Sequence, residues 1–229
     1  MKNKVACCYL THEHPEVIDE ILEKICKPYG DRGIDIYIFD SSESDDTRVI
    51  VEKYAQKGLC NLCYVPMQHT KGRDGGNEKY LYILKGYGLK GRYDYIWPTK
   101  DRCRFEGDTL DEICRAIEEG HDVILGVDER DRYELIKRQT REVYTDPVAF
   151  FGDYGALSTN WECLIRRVDT MLEPIDWDRY GKEYGVGLGC NFNQTLTTFV
   201  RLSEMDKCSV RVNRAGIEDR KSTRLNSSH

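Results

Sequence analysis

The stretch Ile36-Tyr37-Ile38-Phe39-Asp40-Ser41-Ser42-Glu43-Ser44-Asp45-Asp46-Thr47 constrains the fold more than any other. An apolar strand runs into an acid, breaks into a hydroxyl-rich acidic turn and gives way to a helix. A second run, Tyr95-Ile96-Trp97-Pro98-Thr99-Lys100-Asp101, is again apolar and again ends in a carboxylate. Open α/β sheets bind ligands in the crevice beyond the carboxyl ends of their strands, where strand ends and helix starts converge. Two acids placed there, Asp40 and Asp101, can face one ligand from the same sheet edge.

Strand and helix signals alternate around these runs. Val5 to Leu10 reads as a buried strand, and Pro15 suits the first position of a helix, where a missing N–H costs nothing. Val17, Ile18, Ile21, Leu22 and Ile25 then recur at helical spacing. Ile34 to Phe39 is the second strand, and Asp45 or Asp46 is predicted to cap a helix whose inner face carries Val49, Ile50 and Tyr54. Leu62 to Val65 is a third strand, followed by a polar loop with Lys71, Arg73, Gly72, Gly75 and Gly76. Asn77 heads a helix with Tyr80, Leu81, Ile83, Leu84 and Tyr87, closed by Gly88 or Gly91. Tyr93 to Pro98 is the fourth strand, ending at a proline that cannot continue a central ladder.

Thr109-Leu110-Asp111-Glu112 matches a capping box for the next helix, and Asp122 to Val127 is the fifth strand. Two later helices are expected, one around Leu164, Ile165, Val168 and Leu172, the other around Phe192, Leu196, Phe199 and Val200. This order predicts an α/β fold, an open and mainly parallel sheet flanked by helices. The 229 residues suit one such domain, since single cores grow to about 250 residues before splitting. The domain is expected over 1–217 and cut short at its C-terminal side. Residues 218–229, with the aperiodic Lys221 to His229, are expected to be a non-native or disordered tail.

With a net charge of −6, the chain as a whole repels polyanions, and it carries no nucleic-acid-binding signature. No run reaches the ~18 apolar residues of a membrane span. The apolar start stops at Thr11-His12-Glu13-His14, too soon for a signal peptide. A cytoplasmic protein is expected, with peripheral association at the inner face of a membrane left open. The ten cysteines are scattered, several inside apolar patterns, and read as buried thiols of a reducing compartment. Cys60 and Cys63 form the only close pair, without the second pair a structural zinc needs.

On these residues the chain resembles the family 2 glycosyltransferases of GT-A fold, closely over Val5 to Val127 and weakly beyond. Val5-Ala6-Cys7-Cys8-Tyr9-Leu10-Thr11 stands where the family has its first strand and nucleotide-contacting loop. Phe39 to Thr47 stands where it often has two acids, a glycine and a Ser-Thr-Asp run. Tyr95 to Asp101 stands where a strand runs into Asp-x-Asp. The resemblance implies transfer of a sugar, with inversion, from a nucleotide-diphosphate donor to a glycan or lipid-linked acceptor. A UDP-sugar is the foremost donor, and surface polysaccharide or glycolipid synthesis is the expected setting.

Within the resemblance, Asp40 accepts a hydrogen of the base, Thr11 holds base or ribose, and Ser42 and Lys100 belong to the same nucleotide site. Asp101 is the ligand for Mg²⁺ or Mn²⁺, which would neutralise the departing diphosphate. The chain departs from the pattern twice, with Thr99 at the first Asp of Asp-x-Asp and Ser41 at the second acid of the earlier motif. Lys100, Arg102, Lys71 or Arg73 can compensate by pairing with phosphate oxygens.

An inverting transferase needs a carboxylate base on the acceptor side. Gly155-Ala156-Leu157-Ser158 resembles the acceptor-side segment, which leaves Asp176 and Asp178, flanking Trp177, as the candidates and Asp153 as a third.

Plainer readings stand beside these. An Asp followed by Ser at a strand end is commonly a turn former or helix cap. His12 and His14 suit a loop and helix start, and Tyr80, Tyr82 and Tyr87 suit packing. A sugar-nucleotide pyrophosphorylase would need a Gly-x-Gly-Thr-Arg loop where Thr11-His12-Glu13-His14 stands. Two other classes are a non-catalytic GT-A relative that binds a glycan or partner, and a thiol or zinc module on Cys60 and Cys63.

Overall fold

All seven residues of β1 (Val5–Thr11) are buried, which demands a strand on either edge and cover on both faces. The computed structural model, which describes residues 1–67, 89, 91–101, 103–105, 107–128, 143–149, 164–168 and 207–219, supplies both. β2 (Ile34–Asp40) pairs in parallel along one edge of β1, and β4 (Tyr95–Lys100) in parallel along the other. β3 (Leu62–Pro66) extends the sheet beyond β2, again in parallel. On the far side of β4 come β8 (Leu164–Arg167), antiparallel to both its neighbours, then β6 (Val123–Asp128) and β9 (Val210–Asp219), parallel to each other. The short strands β5 (Cys103–Arg104) and β7 (Val143–Tyr144) each pair with β9 in antiparallel fashion. The order β3-β2-β1-β4-β8-β6-β9-β5 gives a mixed sheet whose long pairings are mainly parallel.

Alternation along the strands splits the core in two. Val5, Cys7 and Tyr9 of β1 join Ile34, Ile36 and Ile38 of β2 and Tyr95 and Trp97 of β4 under α1 (Pro15–Asp31). Trp97 lies between Tyr29 of α1 and Phe105, with ring centroids 5.7 Å and 4.8 Å away. α3 (Gly107–Glu118) adds Leu110, Ile113, Cys114 and Ile117 to this layer. Ala6, Cys8 and Leu10 turn to the opposite face and pack with Tyr37, Phe39 and Ile96.

Several expectations are corrected. The segment from Leu164 is strand rather than helix, because a short apolar run has no decisive period and this one fills the gap between β4 and β6. Its Arg166 is fully buried, and burial pushes the guanidinium pKa down to about 9. β4 does not stop at Pro98 but runs on to Lys100. The amides of Tyr95 and Asp101 donate to Lys4 and Leu10 on the β1 side, so the residues alternating with them, Pro98 included, turn their nitrogens away from β1. β8 pairs only with Tyr95 and Ile96 of β4, so at Pro98 no ladder bond on that side is lost.

In α2 (Asp46–Ala55) the inner face is Thr47, Val51 and Tyr54, while Val49 is 62% exposed. α3 begins at Gly107, where a φ of +52° turns the chain, so Thr109 lies inside the first turn rather than at the N-cap. Regular structure in β9 reaches Asp219. The thiol of Cys60 meets that of Cys26 on α1 rather than that of Cys63. The helices expected after Asn77 and around Phe192 lie outside the described residues.

Gly30 sits within α1 where the helix meets the turn before β3. A Cβ on Gly30 would stand 1.9 Å from the carbonyl oxygen of Leu59. Helix propensity alone favours alanine by about 1 kcal/mol, but backbone cannot yield that space cheaply. Gly30→Ala is therefore expected to lower stability by roughly 2 kcal/mol in urea denaturation, the usual cost of overpacking. A stability gain would show that α1 and the Leu59 turn separate freely.

Candidate functional site

Three of the residues singled out from the sequence meet at the carboxyl edge of the parallel strands. Thr11 is the last residue of β1, directly opposite Asp40, the last residue of β2. On its other side the ladder continues past β4, the amide of Asp101 donating to the carbonyl of Leu10 at 3.1 Å. The hydroxyl of Thr11 donates to Asp101 Oδ2 at 2.9 Å in a buried bond. Strand parity carries Thr11, Asp40 and Thr99 to the α1 face of the sheet and Lys100 to the Leu10 face. Thr11 and Asp101 thus touch, Asp40 is the next strand's neighbour, and Lys100 belongs to the opposite parity.

Asp40 is 1% exposed, and its carboxylate is met from three directions. Oδ1 accepts the amide of Ser42 at 2.9 Å and also the Ser42 hydroxyl, while Oδ2 accepts the Tyr64 hydroxyl at 3.1 Å. Hydrogen bonds to a charged acceptor contribute roughly 1.5–3 kcal/mol each, and three of them match the several kcal/mol lost when an ion leaves water. The turn-forming reading of Asp40 is therefore correct as far as it goes. A carboxylate has about four lone-pair sites, so among the described residues one direction remains for a further donor.

Ser42 holds Asp40 and accepts the amide of Glu13 at 2.8 Å, which makes it a brace within the loop. Glu13 in turn accepts the amide of Glu43 at 2.7 Å. His12 keeps to the loop role expected for it, its Nδ1 lying 3.1 Å from the carbonyl oxygen of Ser41. His14 occupies the helix-start position before Pro15.

Tyr64 was not foreseen as a site residue. Its position in β3 opposite Ile38, two residues before the Asp40 partner Pro66, brings its hydroxyl to the acid. Burial first, and then the charge of Asp40, raise its pKa to about 12.

The two departures from the acidic pattern, Thr99 and Ser41, are both buried. The Thr99 hydroxyl has no hydrogen-bond partner among the described residues. Asp101 is 6% exposed, and no group of three His, Cys, Asp or Glu side chains among the described residues can cage a metal. Mg²⁺ needs no such cage, since one or two carboxylates with substrate phosphates suffice. Asp101 thus fits a cation held jointly with a diphosphate. Lys71, Arg73, Arg102, Asp153, Asp176 and Asp178 lie outside the described residues. Among those described, no helix is long and apolar enough to cross a membrane.

Solved structures share this arrangement of strands and helices. S. aureus TarS 1-349 superposes with a TM-score of 0.59 at 16% identity, over 93% of this chain and 59% of that one. The mannosyltransferase PcManGT from Pyrobaculum calidifontis, in complex with GDP-Man and Mn²⁺, gives 0.51 at 14% identity, over 94% of this chain and 55% of that one. Glucosyl-3-phosphoglycerate synthase from Mycobacterium tuberculosis, in complex with Mn²⁺, UDP and phosphoglyceric acid, gives 0.56 at 13% identity, over 99% and 74%. The chain thus spans little more than half the length of the first two. No family model and no curated protein matches it. The fold is that of the GT-A glycosyltransferases.

Two measurements check the geometry. The Tyr64 pKa is raised above its unfolded value of 10 to about 12, so its contribution to stability is complete below pH 10 and is lost as pH rises through 12. Asp40→Asn is expected to lower the Tyr64 pKa in a tyrosinate absorbance titration without returning it to 10, because burial is the larger cause. Thr99→Val is expected to raise stability by about 1 kcal/mol, since a buried hydroxyl without a partner costs about that much. A loss of stability on thermal denaturation would show that the hydroxyl is satisfied.

Proposed function

We propose that this domain binds a nucleotide-diphosphate sugar, a UDP-sugar first, and transfers the sugar with inversion to a glycan or lipid-linked hydroxyl. The observation that carries the reading is the placement of Thr11 between Asp40 and Asp101 at the carboxyl edge of three parallel strands. Two strand spacings separate the acids, about 10 Å, a span that suits a nucleoside with its base at Asp40 and its phosphates at Asp101. The one acceptor direction left on Asp40 suits the imide N–H of uracil. Thr11, already bonded to Asp101, lies where the ribose would cross.

Asp101 would hold Mg²⁺ or Mn²⁺ together with the diphosphate, and the ion would supply charge neutralisation for the leaving group. The solved structures of this fold support the reading by their contents, since they were determined with UDP or GDP-Man and Mn²⁺. Asp176 and Asp178 remain the proposed candidates for the acceptor-side base, and Lys100 remains proposed for the nucleotide site. A cytoplasmic setting and a role in polysaccharide synthesis belong to the same proposal.

The buried Thr99 and Ser41 favour a second reading, a GT-A relative that binds a glycan or partner without turnover. With Thr99 replacing the first acid of the pair, the described residues supply Asp101 alone for the cation.

Calorimetric titration with UDP, with and without Mn²⁺, on the wild type and on Asp101→Ala, tests the reading. Mn²⁺ is expected to strengthen UDP binding at least tenfold, about 1.4 kcal/mol, and Asp101→Ala to abolish that gain. Absence of UDP binding in both conditions would overturn the donor site. Metal-dependent UDP binding without release of UDP from any UDP-sugar would favour the non-catalytic reading.

A further inference from the structure

Resting on the donor-site reading, we infer that Glu13 is a positioning residue for the nucleobase, fixing the Asp40 carboxylate through a two-point latch between loops. Among the described residues it is the single non-glycine with a positive φ, +54°. An L-residue with a β-carbon is disfavoured there. Glycine would relieve that strain, yet a glutamate occupies the position.

The strained backbone and the side chain act on the same loop. The Glu13 amide donates to Ser42 Oγ at 2.8 Å, and Glu13 Oε1 accepts the amide of Glu43 at 2.7 Å. These bonds cross from the β1–α1 loop to the β2–α2 loop, thirty residues away in sequence. Ser42 then delivers its amide and hydroxyl to Asp40 Oδ1. With Tyr64 on Oδ2, the carboxylate has one orientation, and its remaining acceptor direction is set before any ligand arrives. Releasing Glu43 frees the turn that carries Ser42, and the Asp40 carboxylate then rotates.

The consequence is selectivity for a base that donates a hydrogen, rather than general affinity for a nucleotide. The donor of uracil is its N3–H, and methylation at N3 removes it while leaving ribose and diphosphate unchanged. The probes are UDP and N3-methyl-UDP, titrated calorimetrically with Mn²⁺ into the wild type, Glu13→Ala, Glu13→Gln and Glu13→Gly. Thermal denaturation of each protein accompanies the titrations.

In the wild type, UDP binds at least tenfold more tightly than its N3-methyl analogue. Glu13→Ala and Glu13→Gly lose most of that ratio through weaker UDP binding, by about tenfold, with N3-methyl-UDP unchanged; loss of the one hydrogen bond from uracil N3–H to the Asp40 carboxylate accounts for that factor. Glu13→Gln keeps an acceptor for the Glu43 amide and retains the ratio within about twofold. Glu13→Gly relieves the backbone strain and melts no lower than the wild type, so its lost ratio cannot come from unfolding.

A ratio in Glu13→Ala and Glu13→Gly equal to that of the wild type would overturn the inference and leave the donor site standing. Equal weakening of both ligands would also overturn it, since that outcome marks a loop-wide structural role. If the wild type itself bound neither ligand, the donor-site reading would fall and the role of Glu13 with it, an outcome visible in the wild-type titration alone.

Discussion

The register of β1 between β2 and β4 is the constraint on which the rest depends. It sets Thr11 opposite Asp40 and places Asp101 one residue beyond the Leu10 to Lys100 pairing. Side chains alternate with a period of two, so a slip of one residue in either ladder would send a member of the trio to the other face. That slip is resisted from beneath. It would drive Val5, Cys7 and Tyr9 away from α1 and break the stacking of Trp97 between Tyr29 and Phe105. The core thus fixes the geometry of the edge.

Asp40 shows how a buried carboxylate is held in one orientation in such a place. Among the described residues its partners are an amide and two hydroxyls, all neutral. Neutral donors orient a carboxylate without cancelling its charge. The Thr11 to Asp101 bond follows the same pattern. A site built this way presents directed acceptors to the donor hydrogens of a ligand or to a cation, and it does so from a rigid sheet rather than from mobile side chains.

The strands were legible in the sequence because their signal is local. Short, predominantly apolar runs bounded by polar residues or proline fixed β1, β2, β3 and β6 to within a residue at either end. The segment at Leu164 was not legible, since two apolar residues followed by two arginines carry no period that separates helix from strand, and its state is decided by the gap it fills. Pro98 misled for a related reason. Whether a proline breaks a strand depends on which edge its nitrogen faces, a fact of pairing and not of composition. Thr11, Asp40 and Asp101 could be placed together because Thr11 and Asp40 end their strands and Asp101 directly follows the end of β4. The roles of Ser42, Glu13 and Tyr64 could not, because they arise from bonds between loops and strands that lie 24 or more residues apart. Val49 failed because a ten-residue helix with few apolar residues allows two nearly equivalent inner faces.

The insertion of β8 bears on how the chain assembles. β1, β2, β3 and β4 are contiguous in sequence apart from a single long connection, so their parallel ladders can form as soon as residue 101 is available. β6 cannot join them directly, because the strand that bridges β4 to β6 comes from Leu164–Arg167. During synthesis on the ribosome, one edge of β4 therefore waits for some sixty further residues. An open strand edge is a template for pairing with other chains. Pro98 stands on that edge with no N–H to offer, so the residue that looked like a strand terminator removes one of the donors through which a half-built sheet could pair with another chain.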